Sequence, residues 1–380
     1  MKYIPFNRVN IPSSVVGDLK KVIESGWITT GKQAQLFEKS IASIVGAKNV
    51  VAVSSGTAAL HLAYLAAGIK PGDEVIVPSY TFCSTINSIM HLGANPVFCD
   101  IEEDTFCLDP KDVERRITKK TKAIVVVHFA GVSAKMGSIN RIAKKYSLKV
   151  VEDAAHAFLT KYNGKYIGGG KNLTCFSFYA TKNLTTAEGG MVVCPNSKIA
   201  EYVRSVSMHG ITKQAWKRYA KNGSWNYGVD YAGFKYNLTD IHATMGLSQI
   251  PFVERAHMKR VKLVRLYKKL LLNNPNIVLP KDSDCAKNQH AWHLFVIRVR
   301  PSSRLGRDEL VEKMKLAGIG TSVHFIPNHM QKYYKDGGFS HNLPVTEKIF
   351  QEVLSLPLYE NLSELEVKYI SKTLNKFTYE

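Results

Sequence analysis

Short apolar runs alternate with helical patterns through the first half of the chain. Residues 74–77, 96–99, 123–127 and 149–152 are rich in Val, Ile and Ala and bounded by turn residues. They read as buried strands. Between them, Asp109-Pro110 places an acid at an N-cap position and a proline at the first helical position, the start of a helix. Ile139, Ile142, Ala143 and Tyr146 trace one face of a second helix at i, i+3, i+4 and i+7. Strands alternating with helices predict an α/β fold with a mainly parallel sheet covered on both faces. Such sheets bind ligands beyond the carboxyl ends of their strands, which is where Asp153 falls. A further apolar run, Val50-Val51-Ala52-Val53, leads into Ser54-Ser55-Gly56-Thr57 and a helix running to Gly68.

After Gln249-Ile250-Pro251 the pattern changes. Residues 252–272 form a long basic helical pattern, a loop rich in Asn and Pro follows, and residues 291–300 read as a strand. Residues 308–316 read as a helix closed by Gly318. The division expected is a large domain over 13–250 and a smaller α+β domain over 251–380, with segment 1–12 packing nearby. No internal repeat or low-complexity stretch interrupts either part.

Composition changes this picture little. A chain of 380 residues with 45% hydrophobic and 22% charged residues has the make-up of a soluble globular protein with a large core. No apolar stretch approaches a membrane span, and Met1-Lys2-Tyr3-Ile4-Pro5 lacks the apolar region of a signal peptide, so cytoplasm is the expected location. Cys83, Cys99, Cys107, Cys175, Cys194 and Cys285 show neither Cys-x-x-Cys nor metal-ligand spacing. They read as buried thiols, and no metal is expected. The net charge of +20 invites a nucleic-acid reading. However, Lys119-Lys120, Lys144-Lys145 and Lys259-Arg260 each sit in amphipathic stretches that read as solvated helix faces. No helix-turn-helix, finger or RNA-stacking signature accompanies them. Neither a nucleic acid nor a membrane is an expected partner, whereas a positive field is compatible with an anionic substrate.

The candidate chemistry centres on Lys182 and Asp153. Asp153 ends a strand pattern, and Lys182 follows the run Cys175-Phe176-Ser177-Phe178-Tyr179. This is the pairing pyridoxal phosphate (PLP) requires: the lysine amine forms a Schiff base with the cofactor aldehyde, and the carboxylate keeps the pyridine nitrogen protonated. Ser55, Gly56 and Thr57 open a helix whose free N–H groups suit a phosphate, and they suit a plain helix cap equally well.

These segments carry a resemblance. "SGWITTGK" at 25–32, "VAVSSGTAALHLA" at 51–63, "GDEVIVPSYTFCST" at 72–85, "VVEDAAHA" at 150–157, "FSFYATKNLTTAEGG" at 176–190 and "GFKYNLTDIHATMGLSQ" at 233–249 resemble, in order and spacing, the DegT/DnrJ/EryC1/StrS sugar aminotransferases. The resemblance implies the aspartate-aminotransferase (type I PLP) fold and a homodimer with a shared active site. It implies Lys182 as Schiff-base lysine and proton carrier, and Asp153 as partner of the pyridinium. Ser55, Gly56, Thr57 and Ser177 would bind the phosphate, reached also by Asn237 of the other subunit. Phe82 would stack on the cofactor ring and His156 would lie against it; a core phenylalanine and a structural histidine are the alternatives. The chain departs from the pattern at Lys171-Asn172, where relatives usually carry Gly-Asp. Members with histidine in place of the lysine are dehydratases, so the lysine here favours transamination.

The family moves an amino group, usually from L-glutamate, to a keto sugar carried on a nucleotide diphosphate. The stretches 209–219, 233–237, 290–295 and 320–325 resemble enzymes acting at C4 of UDP-linked 4-keto sugars. His324, Trp216, Tyr219 and Trp225 suit contact with the sugar nucleotide, and suit a dimer interface as well. Thr29, Thr30 and Lys32 either line the same cleft or form a surface turn. A dTDP-linked or C3-keto substrate and a PLP-binding protein without turnover are the competing readings.

Overall fold

The computed structural model describes residues 3–211, 227–282, 285–339 and 341–379. Its main sheet has seven strands: β1 (Asn49–Val53), β2 (Glu74–Pro78), β3 (Asn95–Cys99), β4 (Thr121–Val127), β5 (Lys149–Asp153), β8 (Leu173–Ser177) and β9 (Gly190–Cys194). A small antiparallel hairpin, β6 (Lys161–Tyr162) with β7 (Lys165–Tyr166), lies between β5 and β8 along the chain. The four strands expected from the apolar runs are β2 to β5. The order across the sheet is β1-β9-β8-β5-β4-β2-β3. Pairing is parallel from β3 through β8, and β9 runs antiparallel to both its neighbours. The departure has a local cause. Residues 178–189 join β8 to β9 without a crossover helix, so the chain turns back on itself, and that connection carries Lys182.

Helices α1 (Val15–Glu24), α2 (Lys32–Val45), α3 (Gly56–Ala66), α4 (Ser84–Met90), α5 (Pro110–Arg115), α6 (Met136–Lys145), α7 (Ser197–Val206) and α8 (Asp240–Gln249) accompany the sheet. Alternation within the strands feeds two apolar layers. Val75, Val77, Val125 and Val151 join Leu62 and Tyr64 of α3 in one core, while Ile76, Ile124 and Val126 join Ile139 of α6 in another. Asp109 caps α5 by accepting from Lys111 N–H at 2.9 Å, with Pro110 in the first turn, as the sequence predicts.

Past residue 250, α9 (Val253–Leu271) is followed by a three-stranded antiparallel sheet of β10 (Ile277–Val278), β11 (Phe295–Val299) and β12 (Val353–Leu356). Around it lie α10 (Arg307–Leu316), α11 (Lys332–Asp336), α12 (Pro344–Glu352) and α13 (Glu364–Thr378). Gly318 has φ +75° and donates to Lys315 O while Ile319 N–H reaches Met314 O, the paired closure of a helix by a left-handed glycine. Ile4 bridges this part, donating to Gly318 O and accepting from Gly320 N–H, both at 2.8 Å.

One expectation is corrected. The strand read over 291–300 begins only at Phe295. The backbone N–H groups of Ala291 and His293 go instead to Gly131 O and Ala130 O, at 2.9 and 3.0 Å, and Trp292 takes φ +48°. Those residues are drawn out of the small sheet and tied to the loop after β4.

Candidate active site

The carboxyl ends of β1, β2, β5 and β8 face one edge of the sheet, and each delivers one or more of the expected residues. Asp153, the last residue of β5, is 5% exposed. Its Oδ2 accepts from Thr85 Oγ1 at 2.7 Å and its Oδ1 from Ala155 N–H at 3.1 Å. Burial pushes its carboxyl above the usual range, opposed by those two hydrogen bonds and by the charge of Lys182. Burial also lowers the Lys182 amine to about 8, with Asp153 pulling the other way. A lysine in that range has a usable neutral fraction near neutral pH, which a nucleophile or proton acceptor needs.

Ser55 is the N-cap of α3, its Oγ accepting from Ala58 N–H at 3.0 Å. The cap reading is therefore correct, and it leaves room for the other. The N–H groups of Gly56 and Thr57 have no protein partner among the described residues. Gly56 faces Ser177 so closely that a Cβ there would lie 2.9 Å from Ser177 Cβ, and a Cβ on Gly190 would lie 2.2 Å from Ser55 O. Two unpaired amides and two hydroxyl residues thus converge on a cradle kept open by glycine. That chemistry fits a phosphate, and with Asp153 and Lys182 on the same edge the residues fit PLP.

Phe82 is 58% exposed, so it is not a core residue; its ring lies 6.0 Å from that of Phe325. His156 lies between two rings, 4.4 Å from His293 and 5.9 Å from Phe325, and its Nδ1 accepts from Ala130 N–H at 3.3 Å. Burial first, then the Lys182 charge, holds its pKa well below the ordinary histidine value. His324 packs on Phe6 at 5.4 Å and shares a hydrogen bond with Ser355 Oγ at 2.9 Å. The same two causes push His324 down to about 4. His156, His293, His324 and Phe325 thus form an aromatic cluster, with Lys182 near enough to add its charge to the burial that depresses His156, His293 and His324.

Asn237 and the 29–32 segment lie elsewhere in this protomer. Asn237 pairs with Val53 and donates its amide to Thr30 Oγ1 at 2.6 Å. Both line a cavity of about 700 Å³ with Tyr202, Arg204 and Tyr231, a lining that contains neither Lys182 nor Asp153. Thr29 O accepts from Asp240 N–H at 3.1 Å, and Lys32 opens α2 with its side chain exposed. The amides of Gly31, Gln33 and Ala34 at that helix start are taken up by the Asp240 carboxylate at 2.8–3.1 Å. Trp216, Tyr219 and Trp225 lie outside the described residues.

Thr85, Phe325 and His293 join the site without having been singled out, although the last two stand in the stretches 320–325 and 290–295 that carry the resemblance to UDP-sugar enzymes. Thr85 closes the quoted segment 72–85, and its position in the first turn of α4 is the one signal that could have marked it. No helix among the described residues is long and apolar enough to cross a membrane.

A model of the DegT/DnrJ/EryC1/StrS aminotransferase family matches residues 11–375. The chain is 42% identical to the spore coat polysaccharide biosynthesis protein SpsC of Bacillus subtilis, over 96% of this chain and 94% of that one. Among solved structures it is similar to the PMP form of Spr1654 from Streptococcus pneumoniae, described as a sugar aminotransferase. That match has a TM-score of 0.92 and 31% identity, and covers 98% of both chains. It is also similar to Helicobacter pylori PseC, an aminotransferase involved in pseudoaminic acid biosynthesis, with TM-score 0.91 and 27% identity over 99% of each chain.

Proposed function

We propose, for a chain that belongs to the DegT/DnrJ/EryC1/StrS aminotransferase family and is a PLP-dependent sugar aminotransferase, that it carries the amino group of L-glutamate to C4 of a UDP-linked 4-keto sugar. One observation carries the finer reading. Segments 290–295 and 320–325, whose residues resemble enzymes of UDP-linked 4-keto sugars, each bring a ring against His156 at the Lys182 site: His293 at 4.4 Å and Phe325 at 5.9 Å.

Bound PLP supplies the electron sink that lets a proton leave the carbon bearing the amine. The protein's residues do the rest. Lys182, with its pKa lowered to about 8, would take that proton and hand it to C4′ of the cofactor within the same half-reaction, and make the reverse transfer in the other. Because the keto acid leaves before the keto sugar enters, the kinetics are ping-pong. Asp153, fixed by Thr85 and Ala155, holds the cofactor's ring nitrogen protonated. Ser55, Gly56, Thr57 and Ser177 would hold the phosphate, Phe82 would stack on one face of the ring, and His156 would lie against the cofactor. Aromatic walls exclude water and His324 contacts the sugar nucleotide, while Thr29, Thr30 and Lys32, which stand beside Asn237 away from Lys182 in one protomer, reach it from the other.

The working form is a cytoplasmic homodimer in which Asn237 of one protomer serves the phosphate site of the other. The cavity that Asn237 shares with Thr30 is the surface a second protomer covers. SpsC's part in a polysaccharide pathway supports a similar use for the amino sugar made here.

The test is a competition read by mass spectrometry. Protein, PLP and L-glutamate meet a mixture of UDP- and dTDP-linked 4-keto-6-deoxy sugars and a UDP-4-keto pentose. Amination of a UDP component at C4 is the expected result. Amination of the dTDP component alone, or no amination of any component by a protein that keeps its bound PLP, overturns the substrate assignment.

A further inference from the structure

Asn183, the residue after Lys182, reaches across to the loop before β11. Its Nδ2 donates to Ala291 O at 2.9 Å, which turns its Oδ1 toward His293 Nδ1 at 3.1 Å. With the amide assigned from that network, His293 must be the donor, so its Nδ1 carries the proton. His156 has the opposite tautomer. Its Nδ1 accepts from Ala130 N–H, which leaves the proton on Nε2. Burial holds both rings well below the ordinary histidine pKa; for His293 the neighbouring His156 and Lys182 add to the effect.

The loop carrying His293 is itself fixed from two sides. His293 N–H goes to Ala130 O at 3.0 Å, on the same residue whose N–H holds His156. The buried guanidinium of Arg260 donates to Trp292 O at 3.3 Å and Leu358 O at 2.9 Å. One chain of contacts therefore runs from Lys182 through Asn183 to His293, and from His293 by ring packing to His156.

We propose that Asn183 and His293 are positioning residues of the transamination, holding Lys182 and His156 in mutual register. This rests on the roles given above to those two residues. Asn183 ties the lysine loop to the segment leading into the small sheet, and His293 backs the imidazole that faces the cofactor. Misplacement of about an ångström costs on the order of a hundredfold in rate, which is ample reason for a dedicated support.

Two substitutions separate the two halves of the support. His293→Phe keeps a ring against His156 and loses the donor to Asn183. His293→Asn keeps a donor at the Nδ1 position and loses the ring. Asn183→Ala, at a half-buried position, removes the tie alone. Each PLP-loaded variant is titrated with pH while the cofactor's visible absorbance is followed, and kcat, KM and melting temperature are measured beside it. Expected are a shifted absorbance transition in all three and kcat reduced roughly ten- to a hundredfold, with the sugar KM little changed. Asn183→Ala and His293→Phe should resemble one another. An unshifted transition with kcat within about twofold of the parent overturns the proposal, as does a rate loss that follows melting temperature alone. Failure of the underlying assignment looks different: the parent protein would then show no cofactor absorbance transition at all.

Discussion

Thr85 donates its hydroxyl to Asp153 at 2.7 Å, from the first turn of α4 to the end of β5. It is one of two hydrogen bonds that stabilise the charged form of a carboxylate which burial would otherwise neutralise. Thr85→Val keeps the shape and removes the donor. A hydrogen bond to a charged group contributes roughly 1.5–3 kcal/mol, so PLP affinity should fall about ten- to a hundredfold in a fluorescence titration. An unchanged dissociation constant would show that Thr85 does not hold the ionised form.

Gly56 is required by space, not by backbone conformation. Its φ lies outside the left-handed region, but a Cβ would meet Ser177 Cβ at 2.9 Å. Gly56→Ala should therefore lose stability as well as PLP, because Ser177 must move to admit the methyl group and the cradle closes. Pairing it with Ser177→Gly should recover part of the binding. Parent-like affinity in Gly56→Ala would mean that phosphate does not enter between these residues.

The depressed Lys182 pKa makes cofactor-free stability depend on pH. Between its folded value of about 8 and its ordinary 10.5, the unfolded chain holds a proton that the folded chain lacks. Stability from this group therefore rises with pH across that window, and the cost is greatest below pH 8. Lys182→Met should stabilise the cofactor-free protein at pH 7 by up to about 3 kcal/mol, less what Asp153 loses with its cation. The gain should vanish near pH 10.5. Denaturant unfolding at pH 7 and 10 checks the sign, and equal differences at both would refute the burial argument.

His324 works in the acid range. Its folded value of about 4 lies below the ordinary 6.5, so the unfolded chain gains a proton first as pH falls. Stability held above pH 6.5 is lost progressively down to about pH 4. His324→Asn should flatten that part of the profile by up to about 3 kcal/mol. His156, His293 and His324 stay neutral above pH 6.5, so an acid limb of activity at higher pH would have to come from another group.

The sequence shows how unevenly such a site is written. β2 to β5 are short apolar runs between turn residues and were readable directly, as was the Asp109-Pro110 helix start. β9 was not, since its direction follows from the loop that precedes it rather than from its own residues. Residues 291–294 mislead because an apolar run is drawn into loop contacts with Gly131 and Ala130, partners that local pattern does not reveal. Lys182, Asp153 and Ser55 stand in motifs, and the structure brings them to one edge. Thr85 and His293 stand in stretches that carry the resemblance, but each acts through a bond to a residue distant in sequence, so local pattern does not reveal its role. Asn237 and Thr30 read as site residues, yet in the single protomer they face a separate cavity. What they contact depends on a second chain.

Identification of the lysine that bonds the cofactor tests the account most directly. The PLP-loaded protein is reduced with borohydride, digested, and the modified peptide sequenced by mass spectrometry. The label is expected on Lys182, with none in Lys182→Ala. A label on another lysine, or retained in that variant, would contradict it.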